Sequence, residues 1–186
     1  MVTDYIRGFV KEECNKNQLT RELYDNHILV VVDYGARLGR LLEADPLVLE
    51  LACYLHDFSP HHNFEHKNSH NFKSSKSIED LLSKFKFPKQ IIEQVCETIS
   101  ANANPARIKN ATKEQICLFN AEAMSLLAKP VFWLYYSNSI RENKMTHKDN
   151  LKVYIDWIEY NWNNMISEAR DMMAEEYSFV QKLVNK

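Results

Sequence analysis

Apolar residues recur every three or four positions along most of this chain, the period of helices that bury one face. Tyr5, Ile6, Phe9 and Val10 mark a short amphipathic helix over residues 3–16, with Lys11, Glu12 and Glu13 on its other side. A longer helix follows to about Leu42, with Thr20 as its predicted N-cap and Leu23, His27, Val30, Val31, Tyr34, Leu38 and Leu41 along one stripe. Gly35 and Gly39 stand one turn apart on it. Each costs about 1 kcal/mol of helix propensity relative to Ala, which points to a close helix approach there. Asp45-Pro46 has the form of a helix start, and the run it opens to His56 is nearly all apolar, which predicts a central helix.

The remaining punctuation gives the other elements. A loop is expected from Phe58 to His70, a helix over about Asn71–Phe85, and a break at Phe87-Pro88. The next helix carries Ile91, Ile92, Val95 and Ile99 and stops near Asn102-Ala103-Asn104-Pro105. Thr112-Lys113-Glu114-Gln115 reads as a capping box ahead of Ile116, Leu118, Phe119, Glu122 and Leu126. Pro130 starts another apolar stretch, and Thr146 caps a predicted long C-terminal helix over about 147–185. Its Trp157, Trp162, Met172 and Tyr177 either cover the core or pair with a second copy as a homodimer. No repeat, low-complexity tract or linker interrupts the pattern, so residues 1–186 are read as one all-α domain.

Composition narrows the class. Only three glycines and five prolines in 186 residues are too few for the turns of an all-β fold, and the 45% apolar content supplies a sizeable core. A net charge of −2 with both signs mixed gives no basic footprint for a nucleic-acid polymer, although a single nucleotide stays open. Cys14, Cys53, Cys96 and Cys117 are scattered without a Cys-x-x-Cys pair and read as reduced thiols. The first residues lack the apolar core of a signal peptide, and no apolar run reaches the roughly 20 residues of a membrane span. A soluble, cytoplasmic protein is the expectation.

The chemistry-bearing residues form an ordered set. His27 lies on an inward helical stripe, Leu51-Ala52-Cys53-Tyr54-Leu55 ends in His56-Asp57, and Asn120-Ala121-Glu122 places a carboxylate within another apolar helix. Taken singly, each has a plain structural reading. His27 would be a hydrogen-bonded core histidine, His56-Asp57 a helix end favoured by the dipole, and Glu122 an acid on a solvent face. Together they offer two imidazoles and two carboxylates, a set suited to a divalent transition metal. Trp133, Tyr135 and Tyr136 read as core, with stacking on a base as the alternative.

The order of these motifs resembles the HD-domain superfamily of metal-dependent phosphohydrolases: a His on one helix, a His-Asp doublet ending the next, and an acid on a distal helix. The resemblance spans about residues 20–140. It implies an all-helical fold and metal ligands His27, His56, Asp57 and Glu122. It also implies one divalent ion of iron, manganese, nickel or zinc, and an ion-activated water attacking a small phosphate ester or nucleotide. His66 or His70 matches the histidine that many relatives place after the doublet. It would stabilise charge or act as general acid, and Asp57 would share a proton with the water.

This chain departs from the family pattern in two places. Asn120-Ala121-Glu122 stands where relatives carry Asp-Ala-Asp, and Asn102 stands where many have a second histidine. The metal-binding acid is aligned with Glu122, with Asn120 as a lesser alternative oxygen ligand or hydrogen-bonding support. Asn102 argues against a two-metal site and the diiron oxygenase branch. A degenerate domain that binds a ligand or partner without catalysis is the second reading.

Overall fold

The computed structural model describes residues 2–16, 18–58, 70–102, 110–139 and 146–184, and among these residues there are helices and no strand. In order they are α1 (Val2–Cys14), α2 (Gln18–Leu23), a π-helical turn (Tyr24–Ile28), α3 (Leu29–Leu42), α4 (Pro46–Leu55) and α5 (His70–Lys84). They continue as α6 (Lys89–Asn102), α7 (Lys113–Ala128), α8 (Pro130–Ser139), α9 (His147–Asn164), α10 (Ser167–Met172) and α11 (Ala174–Val184). The all-α architecture read from the sequence is the one observed. No helix among the described residues is long and apolar enough to cross a membrane.

Three of the expected caps form as their residues specify, Thr146 among them, whose Oγ1 accepts from the Asp149 N–H at 3.2 Å. Asp45 Oδ1 accepts from the Leu47 and Val48 N–H groups at 2.9 and 3.1 Å, which starts α4 beneath Pro46. Thr112 and Gln115 close a reciprocal capping box on α7, at 3.3 and 3.0 Å. The Asp45 N–H donates to Glu114 Oε1 at 2.7 Å, so the starts of these two helices are tied together.

Thr20 is a correction, because α2 begins at Gln18 and Thr20 lies inside it. Its buried hydroxyl donates to the Cys14 carbonyl at 2.6 Å. That carbonyl belongs to the last turn of α1, which has no intrahelical donor of its own, and the nearby threonine meets the need.

The core forms where α7 packs on α3 and α3 on α4. Helix α7 is buried on most sides, with Leu118, Ala121, Ala123 and Met124 at 1% exposure or less. Gly35 and Gly39 permit the α3–α4 crossing as their spacing predicted. A Cβ on Gly35 would lie 2.6 Å from Cys53 Sγ, and one on Gly39 would lie 2.6 Å from Leu49 Cδ2.

The C-terminal face is not one long helix. Met165 and Ile166 are extended, with ψ of 148° and 159°, and separate α9 from α10, while Met173 separates α10 from α11. The breaks let Met165, Ala169 and Met173 all remain buried, following the curvature of the core. They also present the Ile166 N–H to Asn120 Oδ1 at 2.9 Å. Trp162 and Tyr177 stack on each other at 3.9 Å between centroids, so these aromatics find partners within the chain.

Candidate metal centre

His27 lies in the π-helical turn, where Leu29 N–H reaches back five residues to the Tyr24 carbonyl. A π turn inserts an extra residue into the helical path and redirects the side chains it carries, and such turns are frequent at functional sites. Here it directs a fully buried imidazole, 1% exposed, towards the end of α4. Ser125 Oγ lies 2.9 Å from His27 Nδ1, and the Trp133 ring packs edge-on against the imidazole with centroids 4.9 Å apart at 79°.

His56 is the residue at which α4 ends. Its Nδ1 lies 2.9 Å from the Cys53 carbonyl oxygen, one of the terminal carbonyls that α4 leaves without an intrahelical donor. A carbonyl only accepts, so His56 Nδ1 carries the hydrogen and Nε2 faces away from it. Asp57 follows immediately. Its Oδ2 lies 3.1 Å from His27 Nε2 and 3.6 Å from His56 Nε2, and the two Nε2 atoms are 2.9 Å apart.

These distances identify what the centre requires. The Ser125 hydroxyl donates to the Glu122 carbonyl at 2.7 Å, so towards His27 it can only accept, and Nδ1 is the donor. With its hydrogen on Nδ1, each ring can offer an Nε2 lone pair, alongside a carboxylate oxygen, to one small space. Three acceptors at such separations are held by positive charge, either an added proton or a bound cation. Ligand atoms about 2.1 Å from a tetrahedral ion sit roughly 3.4 Å from each other, close to the separations seen here. One oxygen and two imidazole nitrogens, all within 4.8 Å of one another, fit a divalent first-row ion.

The surroundings are apolar on one side and open on the other. The side chains of His27 and His56 are 1% and 2% exposed, whereas that of Asp57 is 40% exposed, so the centre meets solvent at the carboxylate. Burial, and after it the charge of Asp57, pushes the Tyr136 hydroxyl pKa upward. Burial, followed by the charges of Glu13, Asp57 and Asp25, pushes the Cys14 thiol to about 11. A separate cavity of about 470 Å³ lies between α3 and α4, lined by Val32, Arg40, Leu49, Glu50 and Cys53 among others, and is not lined by His27, His56 or Asp57.

Of the four ligands expected from the sequence, His27, His56 and Asp57 come together and Glu122 does not join their group. Glu122 sits one turn before Ser125 on α7, half-buried, on the side that carries Ser125 to His27. Asn120 is fully buried and committed elsewhere, its Nδ2 donating to the Ile116 carbonyl at 2.8 Å and its Oδ1 accepting from Ile166. His61, His62 and His66 lie outside the described residues. So do the side chains of His70, which opens α5, and of Asn102, which ends α6. Trp133 and Tyr136 are core, as their pattern indicated, and Trp133 touches His27, whereas Tyr135 is 54% exposed. Sequence reasoning missed Ser125, whose one signal was a hydroxyl three residues after Glu122 in the apolar second half of α7.

No curated protein and no solved structure matches this chain. A family model described as HD domain matches residues 24–134, from the start of the π turn to the residue after Trp133. That span covers well over half of the chain and contains all three clustered residues, so the chain belongs to the HD-domain family.

Proposed function

We propose that this protein is a metal-dependent phosphohydrolase acting on a small phosphate ester or a nucleotide. The observation that carries the reading is the convergence of His27 Nε2, His56 Nε2 and Asp57 Oδ2 in a member of the HD-domain family. A divalent ion bound there supplies Lewis acidity to a phosphoryl oxygen and acidifies water. The two buried imidazoles would hold the ion from their helices, while Asp57, facing solvent at 40% exposure, would take a proton from the attacking water. Glu122, half-buried one turn before Ser125 on α7 and outside the three-residue group, is proposed as a further acid of the centre. His66 or His70 is proposed to meet the substrate phosphate and protonate the leaving group.

One observation favours a second reading, a domain that binds a ligand or partner without hydrolysis. Asn120, where relatives carry an acid, holds the Ile166 backbone instead. Elemental analysis of protein purified without chelator, beside a His56→Ala, Asp57→Ala double variant, separates the two. About one equivalent of iron, manganese, nickel or zinc that vanishes in the variant, followed by turnover of a phosphate ester with that ion, supports the hydrolase. Absence of metal even after incubation with those ions rejects it.

A further inference from the structure

We propose that Ser125 is a positioning residue for His27: its hydroxyl holds the imidazole proton on Nδ1, so that Nε2 is the atom offered to the centre. The inference rests on the reading of His27 Nε2 as a ligand. The choice of ring nitrogen is not settled by the centre itself. With His56 Nε2 at 2.9 Å and Asp57 Oδ2 at 3.1 Å, a hydrogen on His27 Nε2 would have two acceptors beside it and would close the site to a cation. Something on the far side of the ring must hold the proton away.

Ser125 has the geometry to do so. Its Oγ is 2.9 Å from His27 Nδ1, and its own hydrogen is committed to the Glu122 carbonyl at 2.7 Å, the back-bond available to a helical serine. A hydroxyl so anchored can only accept from Nδ1. Ser125 is fully buried and His27 nearly so, leaving the pair sheltered from solvent. The Ser125 carbonyl in turn accepts from Trp133 Nε1 at 3.2 Å, and the Trp133 ring abuts the imidazole. Residue 125 thus fixes both the protonated nitrogen of His27 and, through Trp133, the plane in which its ring lies. Metal-binding histidines commonly have the second nitrogen held this way, and removal of such support costs about 10–100-fold in metal affinity.

The test is imidazole nitrogen NMR on metal-free full-length protein, wild type, Ser125→Ala and Ser125→Thr, together with zinc affinity measured by titration calorimetry. In the wild type, and in the hydroxyl-bearing Ser125→Thr, His27 Nδ1 is expected to carry a proton. In Ser125→Ala the proton is expected on Nε2, with zinc affinity lowered about 10–100-fold and the helical circular dichroism retained. A wild-type His27 with a bare Nδ1 overturns the proposal, and this measurement needs no variant to fold. Unchanged tautomer and zinc affinity in Ser125→Ala overturn it as well. A wild type that binds no zinc, yet holds the Nδ1 proton in a Ser125-dependent way, keeps the positioning role and instead defeats the metal-centre reading.

Discussion

The Nε2 atoms of His27 and His56 face each other at 2.9 Å across a space they share with Asp57 Oδ2. Each ring has its Nδ1 held by an acceptor, Ser125 Oγ in one case and the Cys53 carbonyl in the other. On the reading proposed above, a divalent cation would draw these three acceptors together. At a free concentration 100 times its dissociation constant, a bound ion stabilises the folded state by about 2.7 kcal/mol. For a chain of this size that corresponds to a rise of roughly 5–10 °C in melting temperature. Thermal melts with and without manganese or zinc should show the rise in the wild type and lose most of it in Asp57→Ala. Equal shifts in both proteins would place the ion elsewhere.

Asn120 and Glu122 should separate stability from metal binding. Asn120→Ala removes the acceptor for the Ile166 N–H and the donor to the Ile116 carbonyl in a fully buried position. The expected loss is about 1–3 kcal/mol, read from the urea midpoint, with metal stoichiometry unchanged. Glu122→Ala is expected to lower metal affinity while moving stability by no more than about 0.5 kcal/mol. The opposite pattern would make Asn120 the residue of the centre and Glu122 the structural one.

Part of the fold was legible because three helices announce their own starts. Asp45-Pro46, the Thr112 capping box and Thr146 each satisfy backbone donors locally, so the sequence alone carries the information. The doublet His56-Asp57 was legible for a similar reason, since it terminates an apolar helix whose burial fixes its direction. Three features were not. The π turn at Tyr24–Ile28 leaves no periodic mark that differs from an α-helix with one residue shifted. The breaks at Met165-Ile166 and Met173 arise from the shape of the core and from the Asn120 contact, both long-range. Ser125 lies 98 positions from His27, and nothing local to it points to an imidazole.

Alkaline pH should weaken the fold through its buried thiols. Burial, and for each the negative charge of a neighbouring glutamate, raises Cys14 from 9.0 to about 11 and Cys117 from 9.0 to about 12. In this window the folded state binds more protons than the unfolded state, so stability falls with rising pH. The contribution is complete below pH 9, where both states are protonated, and is lost as pH climbs through 9 towards 11 and 12. Urea midpoints at pH 8, 9 and 10 should therefore decline. Cys14→Ala with Cys117→Ala should start lower, because of the cavities left, but decline less steeply over that interval. An undiminished slope would assign the effect to other groups, such as the buried Cys53 and Tyr154, whose pKa values are also raised by burial.

Gly35 couples the packing of the core to the centre. Its missing side chain admits Cys53 Sγ to within 2.6 Å of where a Cβ would stand, and Ala121 closes the space from α7 at 3.9 Å. Cys53 is fully buried on α4, so its sulfur has little room to yield, and the carbonyl of the same residue accepts from His56 Nδ1. Gly35→Ala gains about 1 kcal/mol of helix propensity but incurs overpacking of about 1–3 kcal/mol, for a net loss of up to about 2 kcal/mol. Relief of the clash moves α4, and with it His56, so metal affinity should fall together with stability. Cys53→Ala removes the sulfur that the new methyl meets. In the double variant the two changes should be less harmful than their sum, with a coupling of about 1–2 kcal/mol in stability and partial recovery of metal affinity. Strict additivity in both measurements would show that α3 and α4 separate at no cost to the centre, and that the glycine serves only the helix crossing.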